Sequence, residues 1–406
     1  MRPESAVPAG TATAARAVRA GPVGTGSARG WRERYLDWRN GLLADPDFHR
    51  RARRNPLLRL VARRRARAMF DLCSGFVYSQ VLAASVELEL FETLAPRPLA
   101  TEEVARATGL DARAADALLR SGASLGLVER RAGDRWGLGI HGAAFLANPG
   151  VRSMVEHHAF LYRDLADPVK LLRGEAEETL ISMFWDYAGA RAEGFRPDPA
   201  GRGTAPYTAL MAASQAMIAE QIVEVYPLPQ HQRLLDVGGG DGTFLRTVAR
   251  AAPDLELVLF DLPPVAAAAR ERFDAEPGGG AGSTRAVECV GGDAFDDALP
   301  RGADAISLVR VVHDHDDDRA LALLVRCREA LPAGGTLLLA EPMARERVGD
   351  RATDAYFGMY LQAMGRGRPR TPGELGELLE RAGFRRVREV RTPMPMLASL
   401  LVARAG

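Results

Sequence analysis

The sequence predicts an α/β protein with a doubly wound, mainly parallel sheet in its C-terminal half and a mostly helical N-terminal half. Three observations lead to this fold class. From about residue 233, apolar strands alternate with helices, which is the pattern of βαβ units. A glycine-rich loop follows the first of these strands, and residues 99–139 have the pattern of two short helices and a hairpin. With 406 residues, the chain is long enough for two domains.

The N-terminal segments are basic. Residues 1–30 consist mainly of Ala, Gly, Pro, Thr, Ser and Arg, which bury too little surface to offset their ordering entropy, so we expect a disordered tail. Residues 31–70 mix arginines with aromatic residues and leucines, which predicts a basic helical arm broken near Pro46 and Pro56. Residues 1–70 carry a net charge of +11, so the rest of the chain carries −10. Such an acidic body argues against nucleic-acid binding.

Residues 71–200 predict a mostly helical domain that contains a winged helix. We expect Thr101 to be the N-cap of one helix, and a second helix to run from Ala112 to Gly122. A winged helix either binds DNA or serves as a packing and dimerisation module. The second helix has two arginines but no Asn, Gln or Lys to read bases, so we favour dimerisation.

Residues 201–406 form the predicted sheet domain, and its glycine loop, DVGGGDG, follows the first strand. Gly238 and Gly240 let the backbone turn tightly and approach a ligand closely. Because NAD, FAD and S-adenosylmethionine folds all use such a loop, charge helps to distinguish them. A pyrophosphate would meet Asp236 and Asp241 with no compensating Lys or Arg nearby. S-adenosylmethionine is cationic at its sulfonium and ammonium groups, so the acidic loop favours it.

Two further acids end the next strands of the predicted sheet. Asp261 ends the second strand, 25 residues after Asp236, where a carboxylate can accept both ribose hydroxyls. Asp293 ends the third strand, where it could bond an adenine amino group with Ala294 and Phe295 along the base. Each acid could instead be a helix cap or a turn residue. Three acids at successive strand ends favour a cofactor site.

Five motifs, DVGGGDG, FDLP, GGDAF, HDH and AEPM, occur in an order and spacing that point to a known family. Through them, residues 70–406 resemble the class I methyltransferases of the plant-type small-molecule O-methyltransferase family. The resemblance implies a Rossmann-like class I methyltransferase domain preceded by a mostly helical winged-helix dimerisation domain. It also implies S-adenosyl-L-methionine as cofactor and a homodimer.

The resemblance also implies roles for single residues. The catalytic base of the family falls on His313, and a second acid falls on Glu341. Ser214 matches a position near the cofactor, and Leu262 follows Asp261 in the FDLP motif. The chain departs from the family at His315, which stands where the family has the Trp of a His-Asp-Trp motif. It also lacks the third acid and a lysine of the family.

The stretch VVHDHDDDRA, residues 311–320, follows a predicted strand, so His313 is expected at the sheet edge where the methyl donor should lie. A neutral histidine, with a pKa of ~6.5, suits removal of a proton from a substrate oxygen. Asp314 or Glu341 could orient the ring and stabilise the imidazolium. A metal site and a solvated loop that caps the next helix are the alternatives. We favour the base and predict no metal, because consecutive side chains after a strand splay apart.

The substrate is less well defined by the sequence. Residues 154–162, 183–187 and 356–364 are rich in Met and aromatic residues, which suits an apolar small-molecule substrate, although core or dimer packing explains most such segments. The basic arm together with VVHDHDDD resembles carotenoid O-methyltransferases of purple bacteria. These methylate the 1-hydroxyl of acyclic carotenoids of the hydroxyneurosporene and demethylspheroidene type. Tetrapyrrole and polyketide methyltransferases, and a winged-helix regulator, remain as alternatives.

The sequence favours a cytoplasmic location. The 3 cysteines match no disulfide or zinc spacing, and we expect neither a secretory signal nor a membrane-spanning run of ~18 apolar residues. Residues 50–67 hold nine arginines among leucines, which suits peripheral contact with an anionic inner membrane. A helix packed on the partner subunit is an equally good interpretation of this arm.

Overall fold

The computed structural model describes residues 30–176, 178–183, 205–275, 286–345, 351–395 and 397–406. Apart from Gly30, the tail expected at residues 1–30 lies outside the described residues. The chain divides into two compact units, Met1–Val77 and Tyr78–Gly406. Because the long third helix runs past residue 77, the division falls within a helix and not in a linker.

The described part of the first unit is helical. It comprises α1 (Trp31–Ala44), α2 (Pro46–Arg54) and the N-terminal part of α3 (Pro56–Glu87). The helices break at Asp45 and Asn55, both in extended conformation, because a residue that precedes proline is disfavoured in a helix. The carboxylate of Asp45 then caps α2 by accepting the N–H of Asp47 at 2.8 Å.

One helix in the described part of the chain, Leu58–Glu87, is long and apolar enough to cross a membrane by length and composition, because it contains an 18-residue stretch with a mean hydropathy of 1.3. This finding differs from the expectation that no segment could span a membrane. Asp71 and several Ser and Gln residues interrupt the apolar run in the sequence, and only the continuous helix joins its parts. The core helix of a soluble protein passes the same test, so this helix alone does not assign a membrane span.

The N-terminal part of the second unit consists of short helices and one hairpin. The elements are α4 (Leu90–Leu94), α5 (Thr101–Thr108), α6 (Ala112–Ser124), β1 (Val128–Arg131), β2 (Arg135–Leu138), α7 (Ile140–Leu146), α8 (Pro149–Asp164) and α9 (Pro168–Leu172). Strands β1 and β2 pair antiparallel directly after α5 and α6, which confirms the winged helix. The second helix runs to Ser124 and not to Gly122 as expected.

Thr101 is not the N-cap that the sequence predicts. Helix α5 begins at Thr101, and the carboxylate of Glu103 accepts the N–H of Ala100, the residue at the N-cap, at 2.8 Å. The hydroxyl of Thr101 instead accepts the indole N–H of Trp136 at 3.1 Å. Trp136 is buried, and a buried donor without a partner costs about as much as a missing cap. The hydroxyl of Thr101 therefore bonds Trp136 and does not cap the helix.

The C-terminal part of the second unit is built on a seven-stranded sheet. Its strands are β3 (Arg233–Val237), β4 (Glu256–Asp261), β5 (Glu288–Gly291), β6 (Ala305–Val309), β7 (Thr336–Glu341), β8 (Phe384–Val390) and β9 (Ser399–Ala405). They lie in the order β5-β4-β3-β6-β7-β9-β8. Strands β3 to β7 are parallel, and β9 is antiparallel to both β7 and β8. This confirms the doubly wound sheet, with its switch point beside β3, where such folds bind ligands.

Helices cover both faces of this sheet. They are α10 (Ala205–Val225), α11 (Thr243–Ala251), α12 (Pro263–Ala275), α13 (Asp317–Ala330), α14 (Gly358–Met364), which follows a π-helical turn at Arg351–Phe357, and α15 (Pro372–Arg381). Successive strand residues alternate between two apolar clusters, because neighbouring side chains on a strand point to opposite faces. Leu234 packs with α10 and α11, whereas Leu235 packs with α13 and α15.

Candidate active site

The glycine loop between β3 and α11 makes the tight turn that its sequence predicts. Gly238, Gly240 and Gly242 have φ values of 72°, 57° and 80°, a region that favours glycine. A Cβ at Gly238 would lie 2.8 Å from a methyl of Val311, so the loop packs on the segment that follows β6. A Cβ at Gly240 would meet no atom within 4 Å among the described residues, so the backbone there borders open space.

Asp236 lies buried beneath this loop, near the end of β3. The hydroxyl of Ser307, its neighbour in register on β6, donates to Oδ1 at 2.6 Å. Oδ2 is buried without a hydrogen-bond partner among the described residues. Burial raises the pKa of Asp236 to about 7, although the bond from Ser307 opposes this shift. A buried acceptor without a partner beneath a glycine loop fits a ligand that brings a donor or a cation.

Asp261 ends β4, and its carboxylate connects the end of this strand to the glycine loop. Oδ2 accepts the N–H of Gly240 at 2.8 Å, and Oδ1 accepts the N–H of Leu262 at 2.7 Å. Burial raises the pKa of Asp261. Each carboxylate oxygen can accept a second bond, so the pair of oxygens is arranged to receive two ligand hydroxyls as well.

Asp293 follows β5, so it lies at the same edge of the sheet as Asp261. Its carboxylate accepts the N–H of Phe295 at 2.7 Å and thereby fixes the turn that contains Ala294. The ring of Phe295 lies 3.9 Å from the guanidinium of Arg319. The structure thus places the predicted cofactor residues at the carboxyl ends of three adjacent parallel strands.

Asp241 does not contribute an uncompensated charge to the loop, contrary to the sequence interpretation. Its Oδ1 accepts the N–H and the hydroxyl of Thr243, the first residue of α11, at 3.1 and 2.7 Å. Its Oδ2 pairs with Arg272 at 2.7 Å. The sequence could not show this pair, because Arg272 lies 31 residues away on α12. Asp236 and Asp261 are therefore the acids available to a ligand.

His313 lies in a single helical turn, Val312–Asp314, directly after β6, and is only 5% exposed. Its Nδ1 bonds Oε2 of Glu341, the last residue of β7, at 2.5 Å. The other oxygen of Glu341 accepts the N–H groups of Val311 and Val312 at 3.0 and 2.7 Å. The fully engaged carboxylate therefore fixes both the turn and the orientation of the imidazole ring.

The charges around His313 favour uptake of a proton. The Oδ1 atom of Asp314 lies 3.1 Å from Nε2. Burial disfavours the imidazolium, but the carboxylates of Asp314 and Glu341 outweigh burial, so the pKa of His313 lies above its ordinary value. With its proton on Nδ1 facing Glu341, the ring presents Nε2 as the basic nitrogen. Nε2 can therefore accept a proton, and the two carboxylates stabilise the imidazolium.

We expect Asp314→Asn to lower the pKa of His313, because the neutral amide removes one of the two carboxylates that favour the imidazolium. The neutral form of the ring, which can act as a base, then persists to lower pH than in the parent protein. An NMR titration of labelled histidine, with His313→Gln to assign the resonance, measures this shift. A pKa that stays constant or rises would contradict the electrostatic account.

The remaining acids of the HDHDDD stretch start a helix. Asp316 and Asp317 begin α13, where Asp316 accepts the N–H of Gly367 at 3.0 Å and Asp317 pairs with Arg368 at 3.2 Å. Burial lowers the pKa of His315 to about 4. In the part of the chain that the structure describes, no group of three or more His, Cys, Asp or Glu side chains is arranged to hold a metal ion.

An aromatic cluster, here called the aromatic wall, lies beside His313 and consists of His157, His158, Tyr356, Phe357 and Tyr360. The ring of Phe357 meets that of His313 edge to face at 6.2 Å. His157 bonds the hydroxyl of Tyr360 at 2.8 Å, and His158 bonds that of Tyr356 at 2.9 Å. The sequence segments 154–162 and 356–364 therefore meet in space.

The aromatic wall carries little charge of its own. Burial lowers the pKa of His157 to about 4 and also lowers that of His158, so both rings are neutral near pH 7. Burial raises the pKa of Tyr356 to about 12. The polar groups of the wall bond one another, so the rings offer mainly apolar surface.

Two predictions concern residues that the structure does not describe fully. Ser214 lies in α10, but its side chain belongs to the undescribed group at residues 205–214. Of the segment 183–187, only the first residue is described. The expected contact of Ser214 with a cofactor and the pocket role of residues 184–187 therefore lie outside the described residues.

Sequence reasoning missed three residues of this region. Arg310 follows β6 with φ 58°, and its guanidinium lies 5.9 Å from the ring of Phe357. Ser307 bonds Asp236, and Arg370 contacts the turn of His313. A serine within the apolar run of β6 and an arginine directly after it are a signal that could have identified the first two. Arg370 is 57 residues from His313 in the chain and left no local signal.

Comparisons with known proteins identify the family of the chain. A family model described as an O-methyltransferase domain matches residues 162–385, and one described as an O-methyltransferase dimerisation domain matches residues 70–148. The solved structure of human N-acetylserotonin methyltransferase in complex with S-adenosylmethionine is similar, with a TM-score of 0.68 and 26% identity over 84% of this chain and 97% of that chain.

Two bacterial relatives cover most of the chain. The demethylspheroidene O-methyltransferase of Cereibacter sphaeroides is 45% identical over 352 residues, which are 87% of this chain and 90% of that protein. The protein of the same name from Rhodobacter capsulatus is 42% identical over 360 residues, which are 88% of this chain and 87% of that protein. The matched length therefore includes both the helical domain and the sheet domain.

Proposed function

Since this chain belongs to the S-adenosylmethionine-dependent O-methyltransferase family, we propose that it methylates the 1-hydroxyl of an acyclic carotenoid of the demethylspheroidene or hydroxyneurosporene type, with His313 as general base. The observation that carries the proposal is the buried pair of His313 and Glu341 beside an uncharged aromatic wall. The two carotenoid-acting relatives support the choice of substrate.

The residues at the glycine loop fit the cofactor of the family, which supplies the methyl group. The buried Oδ2 of Asp236 and the open side of Gly240 suit a cationic group close to the backbone. We assign Asp261 and Leu262 to the ribose, because the carboxylate of Asp261 can accept two further bonds. The turn at Asp293, Ala294 and Phe295 would hold the adenine, and Gly238 would let the loop approach the cofactor closely. Ser214 on α10 would lie near the cofactor.

In the proposed mechanism, His313 accepts the proton of the substrate hydroxyl at Nε2. The oxygen would gain the methyl group as the methyl–sulfur bond of S-adenosylmethionine breaks, and S-adenosylhomocysteine would leave. Glu341 holds the ring through Nδ1, so Nε2 stays directed at the proton that it takes up. Asp314 and Glu341 then stabilise the imidazolium. Burial of His313 excludes water and strengthens these charge interactions.

The aromatic wall favours an apolar substrate over a polar one. A polar substrate would need free donors or acceptors, whereas the imidazoles and phenols of the wall bond one another. A polyene chain can pack on the half-buried rings of Tyr356 and Phe357 without displacing these bonds. The substrate would thus be held by apolar contact along its length, with one hydroxyl placed at His313.

A transfer assay with purified protein tests this substrate. S-adenosylmethionine labelled in its methyl group is mixed with a 1-hydroxy acyclic carotenoid in lipid vesicles, and the same polyene without the hydroxyl is the matched control. We expect label only in the hydroxylated pigment, as a methyl ether identified by mass and NMR spectra. Transfer to carbon of a tetrapyrrole, or to polyketide phenols alone, would refute the carotenoid assignment. Sequence-specific retardation of DNA would instead point to a regulator.

We propose that the chain is a homodimer, since the dimerisation domain matches residues 70–148. Phe70, Leu72 and Phe76 on α3 are large, apolar and exposed at the start of this match, and a second copy of the chain would cover them. Light scattering coupled to gel filtration measures the mass of the assembly, and a mass equal to one chain would contradict the dimer.

The basic arm, residues 31–70, suits the surface of an anionic membrane, in which an apolar carotenoid dissolves. Trp31, Tyr35 and Trp38 are 76%, 51% and 62% exposed, and their spacing places them on one face of α1. Trp and Tyr favour the membrane interface. Each arginine near an anionic surface adds on the order of 1 kcal/mol. We therefore propose a cytoplasmic enzyme in peripheral contact with the inner membrane.

Flotation with liposomes tests the arm. We expect the intact protein to float with anionic vesicles at low salt and not with zwitterionic vesicles. Molar salt should abolish flotation, because a Debye length of ~3 Å screens the attraction. Substitution of Ser for Trp31 and Trp38 should weaken binding without changing the net charge of the arm. If the intact protein ignores anionic vesicles at low salt, the arm is structural and packs on protein.

A further inference from the structure

Arg370 is a buried arginine outside the groups that would contact substrate or cofactor. Its side chain is 1% exposed, and it is among the largest fully buried side chains in the described part of the chain. Nε donates to Oδ1 of Asp317 at 2.8 Å. An arginine is rarely buried so completely unless its charge is paired and its donors are satisfied.

The other donors of this guanidinium reach the turn that carries His313. Nη1 donates to the carbonyl oxygen of Val312 at 3.0 Å, and Nη2 donates to that of His315 at 2.7 Å. These two carbonyls stand on either side of His313 and Asp314 in the chain. One rigid, planar group thus ties both ends of the turn to the first residue of α13, Asp317.

The chain just before Arg370 packs on the same turn. The N–H of Arg368 donates to the carbonyl oxygen of His313 at 3.1 Å, and Gly367, with φ 73°, donates to Asp316. A Cβ at Gly367 would overlap the carbonyl oxygen of His313. Glycine is therefore required both by the backbone conformation and by the close approach of the two segments.

We propose that Arg370, supported by Gly367, is a positioning residue that holds the turn of His313 in its reactive geometry. Glu341 orients the imidazole from one side through Nδ1, and Arg370 fixes the backbone from the other through two carbonyls. The turn is a single helical turn of three residues, Val312–Asp314, between β6 and α13. A displacement of the base by ~1 Å can cost ~10²-fold in rate, so a buried clamp at this place affects catalysis directly.

The test measures kinetics in Arg370→Gln, which lacks the charge and the forked donors. We expect kcat to fall by ~10²-fold, while KM and the affinity for S-adenosylhomocysteine change little, because neither binding surface is touched. The acid limb of the pH–rate profile should also move to lower pH, because a loosened turn weakens the contact of His313 with Glu341 and Asp314. A loss of folded protein alone would lower the apparent rate without moving this limb.

Two further variants keep the proposal testable if Arg370→Gln does not fold. Arg370→Lys retains the charge for Asp317 but cannot bond both carbonyls, so it should keep the fold and lose rate. Gly367→Ala retains Arg370 and displaces the turn, so it should show the same kinetic signature. Arg404→Gln is the matched control, because Arg404 also donates to backbone, at Gly334, but at the amino end of β7. It should leave kcat unchanged.

The inference rests on the proposed role of His313, and the variants separate the two claims. If His313→Ala keeps its activity, the assignment of His313 as the general base is wrong. If His313→Ala is inactive while Arg370→Lys and Gly367→Ala fold and turn over like the parent enzyme, only the positioning role of Arg370 fails. An unchanged pH limb with a proportional loss of folded protein also overturns it and makes Arg370 purely structural.

Discussion

Replacing His313 by alanine is expected to lower kcat by ~10²- to 10⁴-fold, the usual contribution of a general base. The substrate hydroxyl would then lack the nitrogen that accepts its proton, since Nε2 is the basic atom of the histidine that the turn after β6 presents. The affinity for S-adenosylhomocysteine should stay the same, because the residues that we propose for the cofactor lie at the ends of β3, β4 and β5. Single-turnover kinetics and calorimetry measure the two quantities on the same protein.

His315→Ala is the matched control for this experiment. His315 is two residues away in the same stretch, and its ring packs edge to face on Phe295 at 5.0 Å, with its pKa lowered to about 4 by burial. Its loss should therefore reduce the rate less than the loss of His313. If turnover survives in His313→Ala, methyl transfer proceeds by alignment of substrate and cofactor alone, and the hydroxyl loses its proton late to water.

The second large effect is expected at the cofactor site. Asp261→Ala should weaken binding of S-adenosylhomocysteine by about 1.5–3 kcal/mol, the range for hydrogen bonds to a charged group, which is a loss of roughly 10- to 150-fold in affinity. The carboxylate of Asp261 holds Gly240 of the glycine loop and would also accept the ribose hydroxyls. Calorimetry with the parent protein and the variant gives the difference directly.

Asp254→Ala is the control for the change at Asp261. Asp254 is an exposed acid before the same strand, at the opposite edge of the sheet, so its removal changes the charge but not the site. Binding should be unaltered in this variant. Equal affinities for Asp261→Ala and the parent protein would remove Asp261 from the cofactor site. Binding of NADH in place of S-adenosylhomocysteine would contradict the assignment of S-adenosylmethionine as the cofactor.

Much of the fold follows from patterns that are local in the chain. The alternation of apolar strands and helices after residue 233, and the helix pair with its hairpin, depend on periodicity and turn residues within short windows. The breaks before Pro46 and Pro56 follow from the covalent geometry of proline. The prediction of helix ends was less accurate. Thr101 was expected at the N-cap, but its hydroxyl accepts a hydrogen bond from Trp136 on the hairpin, and Ala100 is the N-cap residue.

The candidate site could be predicted only in part. Asp236, Asp261 and Asp293 were identifiable because each follows or ends a strand, and parallel strands bring their carboxyl ends to one edge. The interpretation of Asp241 was wrong, because its partner Arg272 comes from another helix. Helix α3 meets the length and composition of a membrane span only as a continuous helix, because Asp71 interrupts the apolar run in the sequence.

The sequence was thus sufficient for the order of strands and helices, for the glycine loop and for the position of His313 after a strand, because these depend on neighbouring residues. It could not reveal the partners of that histidine. Glu341 lies 28 residues away and Arg370 57 residues away, and both reach the turn only when β7 and the segment after α14 fold beside β6. Contacts across such distances depend on how the elements pack, and a buried charge is visible only once its surroundings are known.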